Sequence, residues 1–268
     1  MQEASLPRAK KRFGQNFLVQ PQVVQRIIAA IAPQTDDLVV EIGPGPGALT
    51  RGLLQRLSRL DVVELDRDLL AGLRALDGSG ALRVHHADAL SFDFAALAGG
   101  REQVLRVVGN LPYNIATPLI FHLLDQADAL RDMHFMLQKE VVERIVAAPG
   151  SKAYGRLSVM IQASCAVESL FTVAPGNFSP VPKVDSAFLR LIPHRPARVP
   201  AALRPAFAQV VAMAFAQRRK TIANNLRGIV AAATLRSLAI DPGCRAETLD
   251  QAAFLRLAEA FLHQGSLP

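Results

Sequence analysis

The stretches whose residue types and spacing could do chemistry begin with "VEIGPGPGALT" (40–50), in which Glu41 precedes Gly43, Gly45 and Gly47. A glycine turn that follows a strand and opens a helix lets backbone N–H groups approach a ligand closely, because no Cβ stands in the way. The dinucleotide fingerprint is G-x-G-x-x-G, whereas this run reads E-x-G-x-G-x-G, the spacing of S-adenosylmethionine sites. A tight strand-to-helix turn with no ligand would use the same glycines. About twenty residues on, Glu64 ends the next apolar run, where a carboxylate accepts from both hydroxyls of a ribose. That group is common to NAD and S-adenosylmethionine. Asp88, in "HHADAL", could accept from the exocyclic amine of an adenine or cap the segment "ALSFDF".

A second chemical stretch is "GNLPYNIATP" (109–118), which follows the apolar run "VLRVV". The exocyclic N6 of adenine is a poor nucleophile because its lone pair is delocalised into the ring. Asn110 Oδ1 can accept one of its N–H groups, and a backbone carbonyl of Leu111 or Pro112 the other, which draws the nitrogen towards tetrahedral geometry. Pro112 fixes its own φ and biases Leu111 to an extended conformation, so these acceptors are set in advance. Tyr113 offers a flat face on which an extruded base can stack. An ordinary proline turn is the alternative. His85 and His86 lie inside an apolar run with no third ligand candidate nearby, and Cys165 and Cys244 stand far apart, so no metal site and no disulfide framework is expected.

The elements that must position these groups follow from periodicity. Apolar strand-like runs at 38–43, 60–66, 82–88, 104–110 and 133–138 alternate with helical spacing such as Leu49, Leu53, Leu54, Leu57 and Leu119, Ile120, Leu123, Leu124. That alternation predicts an α/β fold with a parallel sheet covered by helices on both faces. "SCAVESLFTV" and "SAFLRLIP" add two β-like runs, one antiparallel, for a mostly parallel seven-stranded sheet. The proline-rich "PHRPARVPAALRP" (193–205) reads as a linker, and the Ala-, Leu- and Arg-rich remainder as a small helical domain. The expected division is a catalytic domain over 1–192, with linker and helical domain over 193–268. Thirty Lys and Arg against 23 Asp and Glu give a net charge of +7, which favours a polyanionic partner such as nucleic acid. No apolar run reaches the roughly 18 residues of a membrane span, and "PRAKKRFGQNF" lacks a signal peptide's apolar segment. A cytoplasmic location is expected.

"KKRFGQNFL", "VEIGPGPGALT", "GNLPYNIATPL", "MHFMLQKEVVERI", "SKAYGRLSV", "FSPVPKVDSAFLRL" and "QRRKTIANNL" together resemble the bacterial small-subunit ribosomal RNA adenine dimethyltransferases, from about residue 8 to beyond 250. The resemblance implies a Rossmann-like, S-adenosylmethionine-dependent methyltransferase that dimethylates N6 of two adjacent adenosines in a hairpin loop near the 3′ end of 16S rRNA. It implies cofactor contacts at Asn16, Leu18, Gly43, Glu64, Asp88 and Asn110, beside the Gly45 turn. It also implies that Phe178 sandwiches the target base against Tyr113. The expected partner is 16S rRNA within the small subunit or its precursor, with the chain acting as a monomer and without a metal or a membrane. "PRAKKR" (7–12), with Arg8, Lys10, Lys11 and Arg12, and "QRRK" (217–220), with Arg218, Arg219 and Lys220 on a helix, are the candidate phosphate contacts. A methyltransferase of large-subunit rRNA is the nearest alternative in chemistry, and a Rossmann dehydrogenase the next.

Overall fold

The computed structural model describes Pro7, Ala9, Lys10, residues 13–99 and residues 104–264. In chain order the elements are β1 (Phe17–Leu18), α1 (Pro21–Ile31), β2 (Leu38–Ile42), α2 (Ala48–Leu54), β3 (Leu60–Glu64), α3 (Leu70–Arg74), β4 (Leu82–His86), α4 (Phe94–Ala98), β5 (Leu105–Asn110), α5 (Ala116–Leu124), β6 (Leu130–Gln138), α6 (Lys139–Val146), α7 (Arg156–Ser164), β7 (Cys165–Val173), β8 (Phe178–Ser179) and β9 (Ser186–Pro193). Four helices follow: α8 (Arg204–Ala214), α9 (Ile222–Asn225), α10 (Ala232–Ser237) and α11 (Gln251–Gln264).

The seven-stranded sheet has the order β4-β3-β2-β5-β6-β9-β7. β2, β3 and β5 read LVVEI, LDVVE and LRVVGN, and they are buried along nearly their whole length, as parallel strands covered on both faces must be. The pairs β2–β3, β2–β5, β3–β4 and β5–β6 are parallel, and β9 joins β6 antiparallel with Ser186 opposite Gln138. The chain runs from β2 outward to β4, then returns to place β5 on the other side of β2. The strand order therefore reverses between β2 and β5, and the crevice at such a point is where open α/β sheets bind ligands. This is the Rossmann-like architecture expected, with the antiparallel strand where the β-like runs indicated.

At the opposite edge a buried ion network fastens the sheet. Arg106 of β5 donates Nε and an η nitrogen to the two oxygens of Asp132 in β6 (2.9 and 3.0 Å), its other η nitrogen to Asp37 (2.8 Å), and one N–H to the Ile31 carbonyl that ends α1 (2.7 Å). Removing either partner of such a buried pair strands a charge and strongly destabilises a fold.

By contacts the chain forms two compact units, one holding residues up to Val142 together with Glu168–Pro193, the other Glu143–Val167 and the residues from His194 on. Sequence reading assigned 143–167 to the first domain. In the structure this segment supplies Tyr154, Val159 and Ala163 to a core built with Phe207, Val210, Phe254 and Leu257 of the tail helices. "SKAYGRLSV" is thereby explained: Tyr154 Oη donates to the Leu249 carbonyl (3.0 Å), and Ser158 Oγ accepts from the Gly155 N–H (3.0 Å) and donates to the Arg144 carbonyl. The segment 193–205 also differs from the expected linker, because Val199 and Leu203 are buried in the same core.

His134, in the middle of β6, is fully buried, and among the described residues neither ring nitrogen has a hydrogen-bond partner. Burial lowers its pKa to about 4, with Arg106 of β5 and Arg190 of β9 opposing protonation and Asp132 favouring it. Below pH 6.5 the unfolded chain takes up a proton that the folded chain refuses, so stability should fall between about pH 6.5 and 4 and then level off. A gap of 2.5 pH units corresponds to about 3 kcal/mol. In urea unfolding, wild type should therefore lose about 3 kcal/mol relative to His134→Leu as pH falls through this window. Parallel curves would remove His134 as the cause.

Candidate active site

A cavity of about 310 Å³ opens where β2, β3, β4 and β5 end, at the lower end of the volume range of small-molecule sites. Gly43, Gly45, Glu64, Asp88, Asn110, Leu111, Pro112 and Tyr113 all line it, as does Asn16. The cavity brings together residues that lie far apart in the chain, such as Asn16 and Tyr113, 97 positions apart.

The glycine turn is required by geometry. Gly43, Gly45 and Gly47 have φ of 62°, 58° and 83°. A Cβ on Gly45 would come within 2.9 Å of the Phe17 ring, whereas one on Gly43 would meet nothing within 4 Å, so the backbone there offers room for a ligand. Glu64 Oε2 accepts from the Gly45 N–H (3.1 Å) and Oε1 from the Asp66 N–H (2.8 Å). Its carboxylate thus shapes the turn and, having further lone pairs, can still accept from a diol. Burial raises its pKa, and the two backbone N–H groups oppose the rise. Asp88 is exposed and opens a turn, accepting from the Leu90 N–H (2.9 Å) through Oδ1; it does not cap a helix.

Asn110 is held from one side only. Its Nδ2 donates to the Asn16 carbonyl (2.7 Å), which commits the amide nitrogen and leaves Oδ1 as the acceptor. The Pro112 carbonyl accepts from the Ile115 N–H (3.2 Å) within the turn. Tyr113 is half-buried, with its hydroxyl 2.8 Å from Ser186 Oγ on β9. Burial raises the Tyr113 pKa and the Ser186 bond opposes this, so the hydroxyl is anchored on β9 while the residue lines the cavity.

Sequence reasoning missed part of the wall. Phe13, Gly14, Gln15 and Phe17 line the cavity, and Gln15 Nε2 donates to Asp66 (3.1 Å). Gly14, with φ of 60°, lies so near Asn114 that a Cβ would meet its Oδ1 at 2.8 Å. The Gly-Gln-Asn-Phe run was the available signal. Ser186 had none, because only the β6–β9 pairing brings it to Tyr113.

Other expected residues sit elsewhere. The Leu18 side chain packs in the core, away from the cavity lining. Phe178 is 2% exposed and belongs to the same core cluster, with Ser179 and Phe178 paired to Phe17 and Leu18, so neither ring face is open to a base in this arrangement. Lys10 is bound by Asp66 and Asp68. Arg8, Lys11 and Arg12 lie outside the described residues. Arg218 pairs with Glu247 (3.0 Å) and donates to the Lys152 carbonyl. "QRRK" forms a turn, because α8 stops at Ala214 and Asn225 Nδ2 caps the carbonyls of Ala214 (2.7 Å) and Gln217 (3.1 Å). Arg219 and Lys220 are exposed on that turn. His85 contacts Asp61 (2.7 Å). Among the described residues no group of three His, Cys, Asp or Glu side chains could hold a metal, and no helix is long and apolar enough to cross a membrane.

The sequence model of ribosomal RNA adenine dimethylases matches residues 7–262. The chain belongs to this family. It is 72% identical over 266 residues to a "Ribosomal RNA small subunit methyltransferase A" of Acidithiobacillus ferrooxidans, covering 99% of each chain. A protein of the same name from Nitrosococcus oceani is 56% identical, over 95% of this chain and 97% of that one. Among solved structures, a dimethyladenosine transferase from Plasmodium falciparum superposes with a TM-score of 0.81 at 26% identity, covering 93% of this chain and 98% of that one. The 23S rRNA methyltransferase ErmE gives 0.70, also at 26% identity, covering 92% and 99%. In this member of the family the glycine turn, Glu64, Asp88 and the Asn-Leu-Pro-Tyr run line one cavity.

The two glycines should respond differently to alanine. Each substitution costs roughly 1–2 kcal/mol for a left-handed backbone, but only Gly45→Ala also drives a methyl into the buried Phe17 ring. Gly45→Ala should therefore unfold at a lower urea midpoint than Gly43→Ala. Equal midpoints would mean that the Phe17 contact is not held in solution.

Proposed function

We infer that this dimethylase transfers methyl groups from S-adenosylmethionine to N6 of two adjacent adenosines in a hairpin loop near the 3′ end of 16S rRNA. The observation that carries the chemistry is the Asn110 amide, whose nitrogen is committed to Asn16 so that Oδ1 is the acceptor presented to a substrate amine. The open backbone at Gly43 and the buried Glu64 carboxylate beside it fit the cofactor. When bound, its sulfonium supplies an electrophilic methyl group.

The chain's own residues bind and orient. Glu64 accepts from the ribose hydroxyls, and the Asp88 oxygen not used by Leu90 accepts from the adenine amine. Asn110 Oδ1 and a backbone carbonyl accept the two N6 hydrogens of the target. Leu111 is the better carbonyl candidate, since that of Pro112 already serves Ile115. The Tyr113 ring, anchored through Ser186, supports the base. No side-chain base is needed, because the nitrogen becomes strongly acidic as its new bond forms and its proton can pass to solvent.

The choice of small subunit is supported by 72% identity to a protein bearing that name. The likeness to ErmE favours 23S rRNA as the second reading. Incubation with labelled S-adenosylmethionine and either 30S particles lacking the modification or 50S particles separates them. Label on two adjacent 16S adenosines is expected, and label on 23S rRNA alone would overturn the assignment.

In single-turnover assays Asn110→Ala should lose roughly 10²–10³-fold in rate, as when one preorganised polar group is deleted elsewhere. Tyr113→Phe keeps the ring and should retain most activity, whereas Tyr113→Ala should lose a stacking surface worth roughly 1–3 kcal/mol. A Tyr113→Phe enzyme as inactive as Asn110→Ala would assign the role to the hydroxyl.

Arg219 and Lys220 are the candidate phosphate contacts of the second unit. Charge reversal of both should weaken binding to 30S particles and flatten its salt dependence, because fewer counterions are released. Affinity for S-adenosylmethionine should not change. An unaltered salt slope would mean that the turn faces solvent.

A further inference from the structure

Behind the glycine turn lies a second, smaller cavity of about 30 Å³, walled on one side by Glu41. Phe17, Gly43, Gly45 and Asn110 wall both cavities, so Glu41 stands one residue layer behind the ligand site. Its carboxylate is 2% exposed and receives a hydrogen bond from Thr50 Oγ1 (2.7 Å). No cation compensates it among the described residues. The groups facing it are Thr50 from α2 and the Glu64 carboxylate from β3, while α1, β1, β6 and β9 offer Ile27, Phe17, Leu18, Met136 and Phe188, and β5 offers Asn110.

We propose that Glu41 distinguishes the charged methyl donor from its neutral product: it is protonated in the ligand-free protein and releases that proton to solvent when a net cation binds. The inference rests on S-adenosylmethionine being the ligand. That molecule carries a sulfonium, an ammonium and a carboxylate, a net charge of +1, whereas the thioether left after methyl transfer has a net charge of zero. Burial holds the Glu41 pKa up at about 8, Thr50 opposes the rise and Glu64 adds to it. A cation one layer away favours the ionised form. Loss of the sulfonium charge reverses this, so Glu41 takes its proton back from solvent and the hold on the product weakens. Affinity for the donor thus rises with pH until the pKa of the ligand-free carboxyl is passed, near pH 8, and affinity for the product rises far less.

Calorimetric titration in buffers of different ionisation enthalpy reads the proton count directly. The difference between wild type and Glu41→Gln isolates Glu41, because the ligand's own amine ionises alike against both proteins. Wild type should release more protons than the variant on binding S-adenosylmethionine, and the two should match on binding S-adenosylhomocysteine. Between about pH 6 and 8 the donor should bind up to about tenfold tighter in wild type only, one unit of pKa shift being tenfold in affinity. Thr50→Val removes the hydroxyl that favours the ionised form and should move this rise to higher pH. It supplies an independent readout if Glu41→Gln does not fold, as does the donor-against-product difference in wild type. Equal proton counts in wild type and Glu41→Gln, or equal release with donor and product, would overturn the proposal while leaving the methyltransferase reading intact. Failure of wild type to bind either ligand would overturn both.

Discussion

The site depends on one hydrogen bond between residues 94 positions apart, from Asn110 Nδ2 to the Asn16 carbonyl. Four parallel strands that stop at one edge would by themselves leave an open crevice. The segment from Phe13 to Leu18 closes one wall of it and, through this bond, decides which end of the Asn110 amide faces the cavity. The same segment is held from below by Gln15 on Asp66 and along its edge by pairing of β1 with β8. Closing the cavity and orienting the acceptor are therefore one structural event.

The two edges of the sheet treat buried charge in opposite ways. At one, Asp37 and Asp132 share Arg106, and each has a further cation beside it, Arg131 at 2.9 Å from Asp37 and Arg190 at 3.8 Å from Asp132. At the other, Glu41 and Glu64 are buried with hydrogen-bond donors but, among the described residues, no cation, and both have raised pKa values for the same reason, loss of water. A cation brought close to such carboxyls favours their ionised form. That edge is accordingly suited to a ligand carrying a positive charge, and it is where the glycine turn leaves room for one.

Much of this was legible in the sequence. The alternation of apolar runs with helical spacing determined the α/β class, because side-chain periodicity is a local property. The glycine spacing, Glu64, Asp88 and Asn-Leu-Pro-Tyr determined where cavity-lining groups would fall, because a parallel strand presents its carboxyl-terminal residues at one edge whatever the details of packing.

What the sequence could not decide depends on contacts between distant residues. Whether Phe178 shows a ring face or fills the core follows from its strand pairing with Leu18, and whether Lys10 and Arg218 are available to phosphate follows from the acids that fold beside them. The place of 143–167 beside the tail helices, the Ser186 anchor under Tyr113 and the buried position of Glu41 behind the glycine turn are likewise products of packing. A side chain's type and spacing state what it can do, but burial and partners set its charge and exposure, and those exist only once the chain has folded.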